Sequence, residues 1–195
     1  MREAALRLFQ EQGYAATPMQ AIAESAGVAV QTLYFTFGTK RALLSEIFDV
    51  AIAGDEEPVA TLDRPQVQAL MDDPDPIAQL RGQARLTRLV YGRLAPVLQV
   101  VRGAASADPD LAELWDTSIK QRAIVMDRFI TALAAKAALR HDHAPAVDIA
   151  LALQGPELYE FLVERRGWSP DQYEQWLAGA LISELLGSAA AAERA

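Results

Sequence analysis

Between Thr17 and Phe37 the chain combines hydrogen-bonding side chains with apolar residues at helical spacing. Gln31 and Thr32 fall on the polar side of this pattern, next to Val30. A glutamine amide can pair with N6 and N7 of adenine, and threonine and valine methyl groups can contact the methyl group of thymine. The chemistry that these residue types allow is therefore recognition of base edges.

A pair of short helices joined by a tight turn would position these side chains. Thr17 predicts the N-cap of the first helix, with Pro18 at the first helical position and Gln20 as the capping-box partner. Ala23 is small enough for the two helices to cross closely, and Gly27 can adopt the positive φ that the turn requires. The segment has the features of a helix-turn-helix.

The second helix of the pair is predicted over residues 30–37, and the first helix of the chain over residues 1–12. Apolar side chains would hold the three helices together, namely Ile22, Ala26, Val28, Leu33 and Phe37 facing Leu8 and Phe9. The opposite side of the second helix would enter the major groove with Val30, Gln31, Thr32, Phe35 and Thr36.

Many residues between positions 4 and 47 match one family pattern in register. They are Ala4-Ala5, Leu8-Phe9, Gly13-Tyr14, Thr17, Ile22-Ala23, Ala26-Gly27-Val28, Thr32 to Phe35, Phe37, Lys40 and Leu43-Leu44. This segment resembles the DNA-binding domain of the tetracycline-repressor (TetR) family. The resemblance implies an all-α fold, in which a three-helix helix-turn-helix DNA-binding domain precedes a helical ligand-binding and dimerisation domain.

The resemblance also implies roles for individual residues. Thr17, Tyr34 and Lys40 would contact backbone phosphates, which fix the register of the protein on DNA without reading sequence. Each also has a structural interpretation that the sequence leaves open: Thr17 can be only a helix cap, Tyr34 half-buried packing and Lys40 a solvated charge. Phe35 can likewise cover the first or the fourth helix, and the polar residues beside it can be ordinary surface residues.

The segment departs from the family pattern at several positions. Ala29 stands where a capping serine is common, Val30 where a basic or polar residue is common, and Thr36 where histidine is common. The recognition helix therefore has no positive charge. Met1-Arg2 occupy the place of an Ile-Leu pair that a basic arm usually precedes, so we expect either a trimmed chain or a start further upstream.

Composition sets the remaining limits. The chain of 195 residues has a net charge of −8, but residues 1–53 carry only four basic and five acidic side chains, so any DNA contact must be local and geometric. The absence of cysteine excludes disulfides, cysteine-bound metals and thiol nucleophiles. No apolar stretch reaches the length of a membrane span. We expect a cytoplasmic protein that contacts no membrane.

Helical periodicity with glycine and proline as breaks predicts three regions. Residues 1–53 form the DNA-binding domain, residues 54–187 the ligand-binding and dimerisation domain, and residues 188–195 a flexible tail. Residues 59–75 are predicted to be irregular with one short helix. The helical region 76–104 is predicted to break before Pro96, because proline cannot donate a backbone hydrogen bond.

By family analogy the C-terminal domain would bind a small-molecule effector and form a homodimer. The predicted effector pocket is lined by Tyr91, Leu94, Leu98, Trp115, Ile119, Arg122, Met126 and Tyr159. The predicted dimer interface contains Leu151, Leu158, Leu162, Trp176, Leu177, Ala180, Leu181 and Leu185. These residues also have a simpler interpretation as core of the monomer. Arg81, Arg85 and Arg88 form a basic strip that is expected to be a solvated face.

The functional prediction is a transcriptional regulator, a repressor released from double-stranded operator DNA by a small, mainly apolar effector of unknown identity. An enzyme is not expected, because no catalytic triad order, phosphate loop or nucleotide fingerprint is present. No cofactor is predicted, and His141-Asp142-His143 is a weak metal motif because it has no third ligand nearby. The alternative is a helical ligand-binding or protein-interaction module with a degenerate helix-turn-helix.

Overall fold

The computed structural model describes residues 1–57, 59–105 and 109–186, and this part of the chain is all-α, as predicted. Its one β-type contact is an isolated antiparallel bridge between Leu139 and Leu186. A 3-10 turn at Thr61–Asp63 precedes α5, and a π-helical segment at Glu160–Arg165 follows α9. The α-helices are α1 Arg2–Gln12, α2 Met19–Ala26, α3 Val30–Phe37, α4 Lys40–Ala53, α5 Pro65–Asp72, α6 Pro76–Ala105, α7 Pro109–Ala134, α8 His143–Leu153, α9 Pro156–Tyr159 and α10 Pro170–Leu185.

The chain divides into two units. The first unit combines Met1–Glu56 with Arg93–Ser118, and the second combines Glu57–Gly92 with Ile119–Ala195. Within the first unit, α1 packs on α2 and α4, and α3 packs on α2 and α4. The side chains buried in this unit include Leu8, Phe9, Ile22, Leu33, Phe37, Leu43, Leu44, Ile47 and Phe48.

The turn between α2 and α3 has the predicted geometry. Gly27 is left-handed, with φ 68° and ψ 31°, and its backbone N–H donates to carbonyl oxygens at the end of α2. The next amide, that of Val28, donates to the carbonyl of Ala23 at 3.0 Å. Together these bonds end α2 and reverse the chain within three residues, and α3 then begins at Val30.

The N-terminus of α3 lacks a side-chain cap, as the sequence indicates. Ala29 occupies the N-cap position with φ −69° and ψ 142°, which is the extended conformation that capping residues adopt. In contrast, α4 and α10 have side-chain caps. The hydroxyl oxygen of Thr39 accepts the backbone N–H of Ala42, and that of Ser169 accepts the backbone N–H of Gln172. The first amides of α3 therefore receive no such bond from Ala29.

Ala29→Ser is expected to raise the free energy of unfolding by about 0.5–1 kcal/mol, because the serine oxygen can accept an amide of the first turn of α3. Urea denaturation measures this change. Ala15→Ser, in the exposed loop between α1 and α2, is the control and should leave the midpoint unchanged. An equal midpoint for the Ala29→Ser protein and the starting protein would contradict the capping argument.

In the second unit, α10 packs on α8 and contacts the π-helical segment. The buried stripe of α10 is Tyr173, Leu177, Leu181 and Leu185, each 0% exposed. The four residues are spaced four apart, so they lie on one face of the helix. This face forms the centre of the core of the unit, together with residues such as Leu80, Ala84, Phe129, Ile130 and Ala150.

One predicted helix break is absent from the structure. α6 continues through Pro96 without a break, and Gly92, whose carbonyl loses its helical donor, is exposed, so water can replace the missing bond. α7 ends at Ala134, and Leu139 beyond it forms the bridge with Leu186. The predicted short helix in residues 59–75 is present as α5, and the predicted tail 188–195 lies outside the described residues.

Candidate functional site

The outer face of α3 is open to solvent. Gln31, Thr32 and Thr36 are exposed, and Val30 is half-buried. Phe35 is 92% exposed, which excludes the interpretation that it covers α1 or α4. The hydroxyl of Thr36 donates to the carbonyl of Thr32 at 2.9 Å, back along its own helix. The exposed face therefore offers an amide, a hydroxyl, methyl groups and one aromatic ring.

The opposite face of α3 fixes the orientation of this surface. Leu33 is 0% exposed and Phe37 is buried beside it, one turn further along the helix. Tyr34 lies between the two faces and is 51% exposed, so its phenol can reach a group outside the protein. Burial of Leu33 and Phe37 thus determines which side chains of α3 project outward.

Thr17 does not lie where the family resemblance placed it. Its side chain is 0% exposed, and its hydroxyl donates to the carbonyls of Gly13 at 2.8 Å and Leu8 at 3.3 Å. Pro18 occupies the N-cap position of α2, and no side chain caps this helix. The predictions of a Thr17 cap and of a phosphate contact by its hydroxyl are therefore wrong for this conformation, because the hydroxyl is enclosed and already bonded.

Lys40, at the start of α4, holds the loop that leads into α2. Its ammonium group donates to the carbonyl oxygens of Tyr14 at 2.8 Å, Thr17 at 3.1 Å and Ala15 at 3.4 Å. The same nitrogen lies 4.5 Å from the centroid of the Tyr14 ring. The half-buried cation therefore ties α4 to the α1–α2 loop, and a phosphate oxygen would have to replace one of these carbonyls.

The other basic residues of the N-terminal segment also have partners. Arg2 forms ion pairs with Glu46 and Glu56, which raise the pKa of its guanidinium. Arg7 donates to the hydroxyl of Ser25 at 2.6 Å, and the guanidinium of Arg41 lies 3.9 Å from the carboxylate of Glu113. Recognition of a partner by the surface around α3 would therefore rest on shape and hydrogen bonding rather than on an excess of positive charge.

The residues predicted to line an effector pocket fall in both units. Leu94, Leu98 and Trp115 belong to the first unit, where Leu94 and Leu98 are buried. Trp115 is half-buried there, and the guanidinium of Arg102 lies 4.9 Å from its ring centroid. The second unit contains the other five, of which Tyr91, Met126 and Tyr159 are buried and Ile119 and Arg122 half-buried.

Three of those five, Tyr91, Arg122 and Met126, belong to a polar cluster inside the second unit. The Tyr91 hydroxyl donates to the carbonyl of Gln154 at 2.7 Å and accepts a bond from Arg122 at 3.2 Å. The Gln154 amide contacts the Met126 sulfur at 3.1 Å, and the Thr87 hydroxyl donates to the Gln154 side-chain oxygen, also at 3.1 Å. Thr87 and Gln154 were not among the predicted residues.

Three tyrosines continue this cluster. The Tyr91 and Tyr159 ring centroids are 5.9 Å apart, and those of Tyr159 and Tyr173 are 5.0 Å apart, in an edge-on arrangement. Burial raises the pKa of both Tyr159 and Tyr173, and for Tyr173 the neighbouring Tyr91 and Tyr159 raise it further. The phenols of Tyr159 and Tyr173 therefore stay protonated and are able to donate a hydrogen bond at neutral pH.

The predicted dimer residues separate into two groups. Leu177, Leu181 and Leu185 are 0% exposed within the chain, so their assignment to a dimer interface is wrong, because no surface remains for a partner to cover. The remaining members are accessible in part: Leu151, Leu158, Leu162 and Ala180 are half-buried and Trp176 is exposed. Phe161, which the sequence analysis did not select, is 52% exposed on the π-helical segment.

Two weaker sequence signals do not form a site. Of the basic strip, Arg81 and Arg85 are exposed, whereas Arg88 forms ion pairs with Glu174 at 2.6 Å and Asp171 at 3.5 Å. His143 bonds to Asp127 at 2.8 Å. Within the described ranges, no three histidine, aspartate or glutamate side chains are grouped so that they could hold a metal ion. No helix in the same ranges is long and apolar enough to cross a bilayer.

Comparison with known proteins agrees with this architecture. Residues 2–47 match the family model of bacterial regulatory proteins of the tetR family. A search of curated protein sequences finds no match. Residues 2–47 therefore belong to a segment shared by TetR-family regulators, and the chain has the fold of TetR-family transcriptional regulators, as the solved structures below also indicate.

Three solved structures illustrate the similarity. The TetR-family regulator PfmR from Thermus thermophilus is 23% identical, with a TM-score of 0.59 and 91% of this chain and 89% of that chain covered. AibR, in complex with isovaleryl coenzyme A and operator DNA, is 21% identical, with a TM-score of 0.63 and coverage of 92% and 95%. A transcriptional regulator from Saccharomonospora viridis in complex with choline is 20% identical, with a TM-score of 0.68 and 95% coverage of both chains.

Proposed function

We propose that this protein is an effector-responsive, DNA-binding transcriptional regulator that acts in the cytoplasm as a homodimer. The observation that carries the proposal is the exposed face of α3, whose Gln31, Thr32 and Phe35 project outward from a helix held by the buried Leu33 and Phe37. A helix presented in this way fits the major groove, where amide, hydroxyl and methyl groups can distinguish base pairs.

We infer a homodimer from the small number of base pairs that one recognition helix can contact. A single recognition helix contacts only a few base pairs, whereas two helices related by a twofold axis read two half-sites about one helical turn apart. Among the accessible apolar residues of the second unit, we assign Phe161, Trp176 and the half-buried Leu158 and Leu162 to self-association. Large exposed apolar side chains support such an assignment.

Repression released by an effector is the regulatory mode we propose. An effector changes DNA affinity only if it binds one arrangement of the two recognition helices more tightly than another. The similarity of fold to AibR, solved with isovaleryl coenzyme A and operator DNA, and to the choline-bound regulator supports an effector site in the helical domain. The hydrogen bonds that join Tyr91, Arg122 and Gln154 favour a location of this effector site in the second unit.

Lys40→Met is expected to lower DNA affinity at least about tenfold and to reduce the slope of log affinity against log salt by about two, or about one for each protomer. The first effect arises because the loop before α2 loses its clamp. The second arises because one cation in each protomer no longer displaces counterions from DNA. Fluorescence anisotropy with a labelled duplex, recorded between low and moderate salt, measures both quantities.

Lys120→Met removes a lysine from an exposed position on α7 and is the matched control, with affinity and slope expected to stay as in the wild type. Circular dichroism verifies that each variant is folded. If Lys40→Met left both affinity and slope unchanged, Lys40 would have no part in DNA binding. If the wild type bound no DNA at all, the interpretation of the protein as a helical interaction module would replace its interpretation as a transcriptional regulator.

A further inference from the structure

One buried row of side chains on α6 in the second unit is polar over three turns. Gln79, Gln83, Thr87 and Tyr91 follow one another at four-residue spacing, and their exposed fractions are 0%, 1%, 8% and 4%. Four-residue spacing places them in one row along the helix. Burial of a polar side chain is unfavourable unless its hydrogen bonds are replaced, so each of these groups requires a partner.

Three of these four side chains have a hydrogen-bond partner. The Gln79 amide donates to the carbonyl of Phe129 at 2.9 Å and accepts from the Lys136 ammonium at 2.7 Å. Thr87 and Tyr91 bond to the side chain and the backbone of Gln154. Gln83 differs, because neither its amide nitrogen nor its amide oxygen has a partner among the described residues.

A second unpartnered group lies in the same unit. The hydroxyl of Tyr173 has no hydrogen-bond partner in the described part of the chain, although the side chain is 0% exposed. Its ring contacts Tyr159, which in turn contacts Tyr91 at the end of the polar row of α6. Gln83 and Tyr91 are eight residues apart, or about 12 Å along a helix.

The unpartnered amide of Gln83 and hydroxyl of Tyr173 restrict the kind of ligand that could form hydrogen bonds with them. The Gln83 amide needs a donor for its oxygen and an acceptor for its nitrogen, and a neutral phenol can give or receive one bond. A ketone or a carboxylate would leave the Gln83 oxygen without a donor, and an alkylammonium would leave the nitrogen without an acceptor. The nearby cations are already engaged, Lys136 with Gln79 and Arg88 with Glu174. A lactam or primary amide satisfies both atoms of Gln83 without adding a charge.

We infer that Gln83 and Tyr173 recognise the effector, and that the effector is an uncharged molecule with an amide-type donor–acceptor pair and an apolar portion. This inference rests on the proposed function and narrows the class of effector. The amide group pairs with the Gln83 side chain, the Tyr173 hydroxyl bonds a second polar atom, and the apolar portion contacts the ring of Tyr159.

The test compares three probes of similar size with the free protein by calorimetry or NMR titration. ε-Caprolactam contains the donor–acceptor pair, cycloheptanone lacks the N–H, and hexanoate lacks the donor and adds a charge. The wild type is expected to bind caprolactam at least about tenfold more tightly than either other probe, because an unpaired buried amide disfavours them. Gln83→Leu is expected to abolish this preference. A fourth probe, 6-hydroxyhexanamide, adds a second polar atom to the amide, so Tyr173→Phe is expected to weaken its binding at least about fivefold and to leave caprolactam binding unchanged.

Gln175→Leu, an exposed glutamine on α10, is the matched control and should retain the wild-type preference. Equal affinity for caprolactam and cycloheptanone, no saturable caprolactam binding, or an unchanged preference in Gln83→Leu overturns the inference. If Gln83→Leu does not fold, the near-isosteric Gln83→Met, which also lacks the amide, decides in its place. DNA binding is measured separately without probe, so a wild type that binds DNA but no lactam refutes this inference alone.

Discussion

Replacing Gln31 and Thr32 together by alanine is expected to lower affinity for the selected operator about 100-fold or more, and to leave affinity for unrelated duplex DNA nearly unchanged. Both side chains are exposed on the outer face of α3 and make no contribution to its buried side. A well-formed contact to a base edge is worth about 1–3 kcal/mol, and a dimer loses it twice. Non-specific affinity derives from phosphates, which these residues do not need to contact.

The matched control for this experiment is Thr117→Ala/Gln121→Ala, which removes the same two residue types from exposed positions on α7. This control should bind operator and unrelated DNA as the wild type does. Electrophoretic mobility shift or anisotropy with both duplexes measures the ratio. An equal loss on the two duplexes would mean that Gln31 and Thr32 contact only the backbone, and no loss on either would remove α3 from the interface.

Phe161→Glu is expected to raise the dimer dissociation constant about 100-fold or more and to lower operator affinity with it. The side chain is 52% exposed, so the substitution disturbs the monomer little, whereas in the proposed interface it buries a carboxylate without a partner. Analytical ultracentrifugation measures the dissociation constant. The effect on DNA follows because the two half-sites are then bound by independent monomers.

Ile124→Glu is the control, since Ile124 is 59% exposed on α7 and lies outside the surface assigned to the dimer. It should sediment as the wild type does. If Phe161→Glu remained a dimer at concentrations where the wild type is one, the interface would have to be sought elsewhere on the second unit. A wild type that is monomeric at micromolar concentration would contradict the homodimer itself.

The helix-turn-helix could be predicted because its determinants are local. Gly27 provides the left-handed turn and Leu33 provides the buried anchor of α3, and each is recognisable from residue type and spacing. The missing cap at Ala29 and the caps at Thr39 and Ser169 were predictable for the same reason. Such features depend on a few consecutive residues and require no knowledge of distant contacts.

Features that depend on long-range packing were not predictable. The hydroxyl of Thr17 bonds to Leu8, nine residues earlier, instead of capping α2. Leu177 and its neighbours on α10 have the same apolar pattern whether they face a partner or their own core, and the structure places them in the core. Helical periodicity shows that a face is apolar but does not show what covers it.

The polar row of α6 is a pattern in the sequence that the sequence analysis did not select. Gln79, Gln83, Thr87 and Tyr91 recur at four-residue spacing, and a polar stripe on a helix usually indicates a solvated face. Only the burial of all four reveals that the row lies inside the second unit. Four-residue recurrence of uncharged polar side chains, beside the charged strip of Arg81 and Arg85, was the available clue.

The central claim is that the protein reads a DNA sequence as a dimer, and selection of binding sites from a random pool of duplexes tests it most directly. After several rounds at moderate salt, we predict enrichment of one sequence with two inverted half-sites whose centres are about one helical turn, or a whole number of turns, apart. The Gln31→Ala/Thr32→Ala protein should fail to enrich that sequence. A wild-type pool that stays random, or DNA retained without any common sequence, would contradict the account.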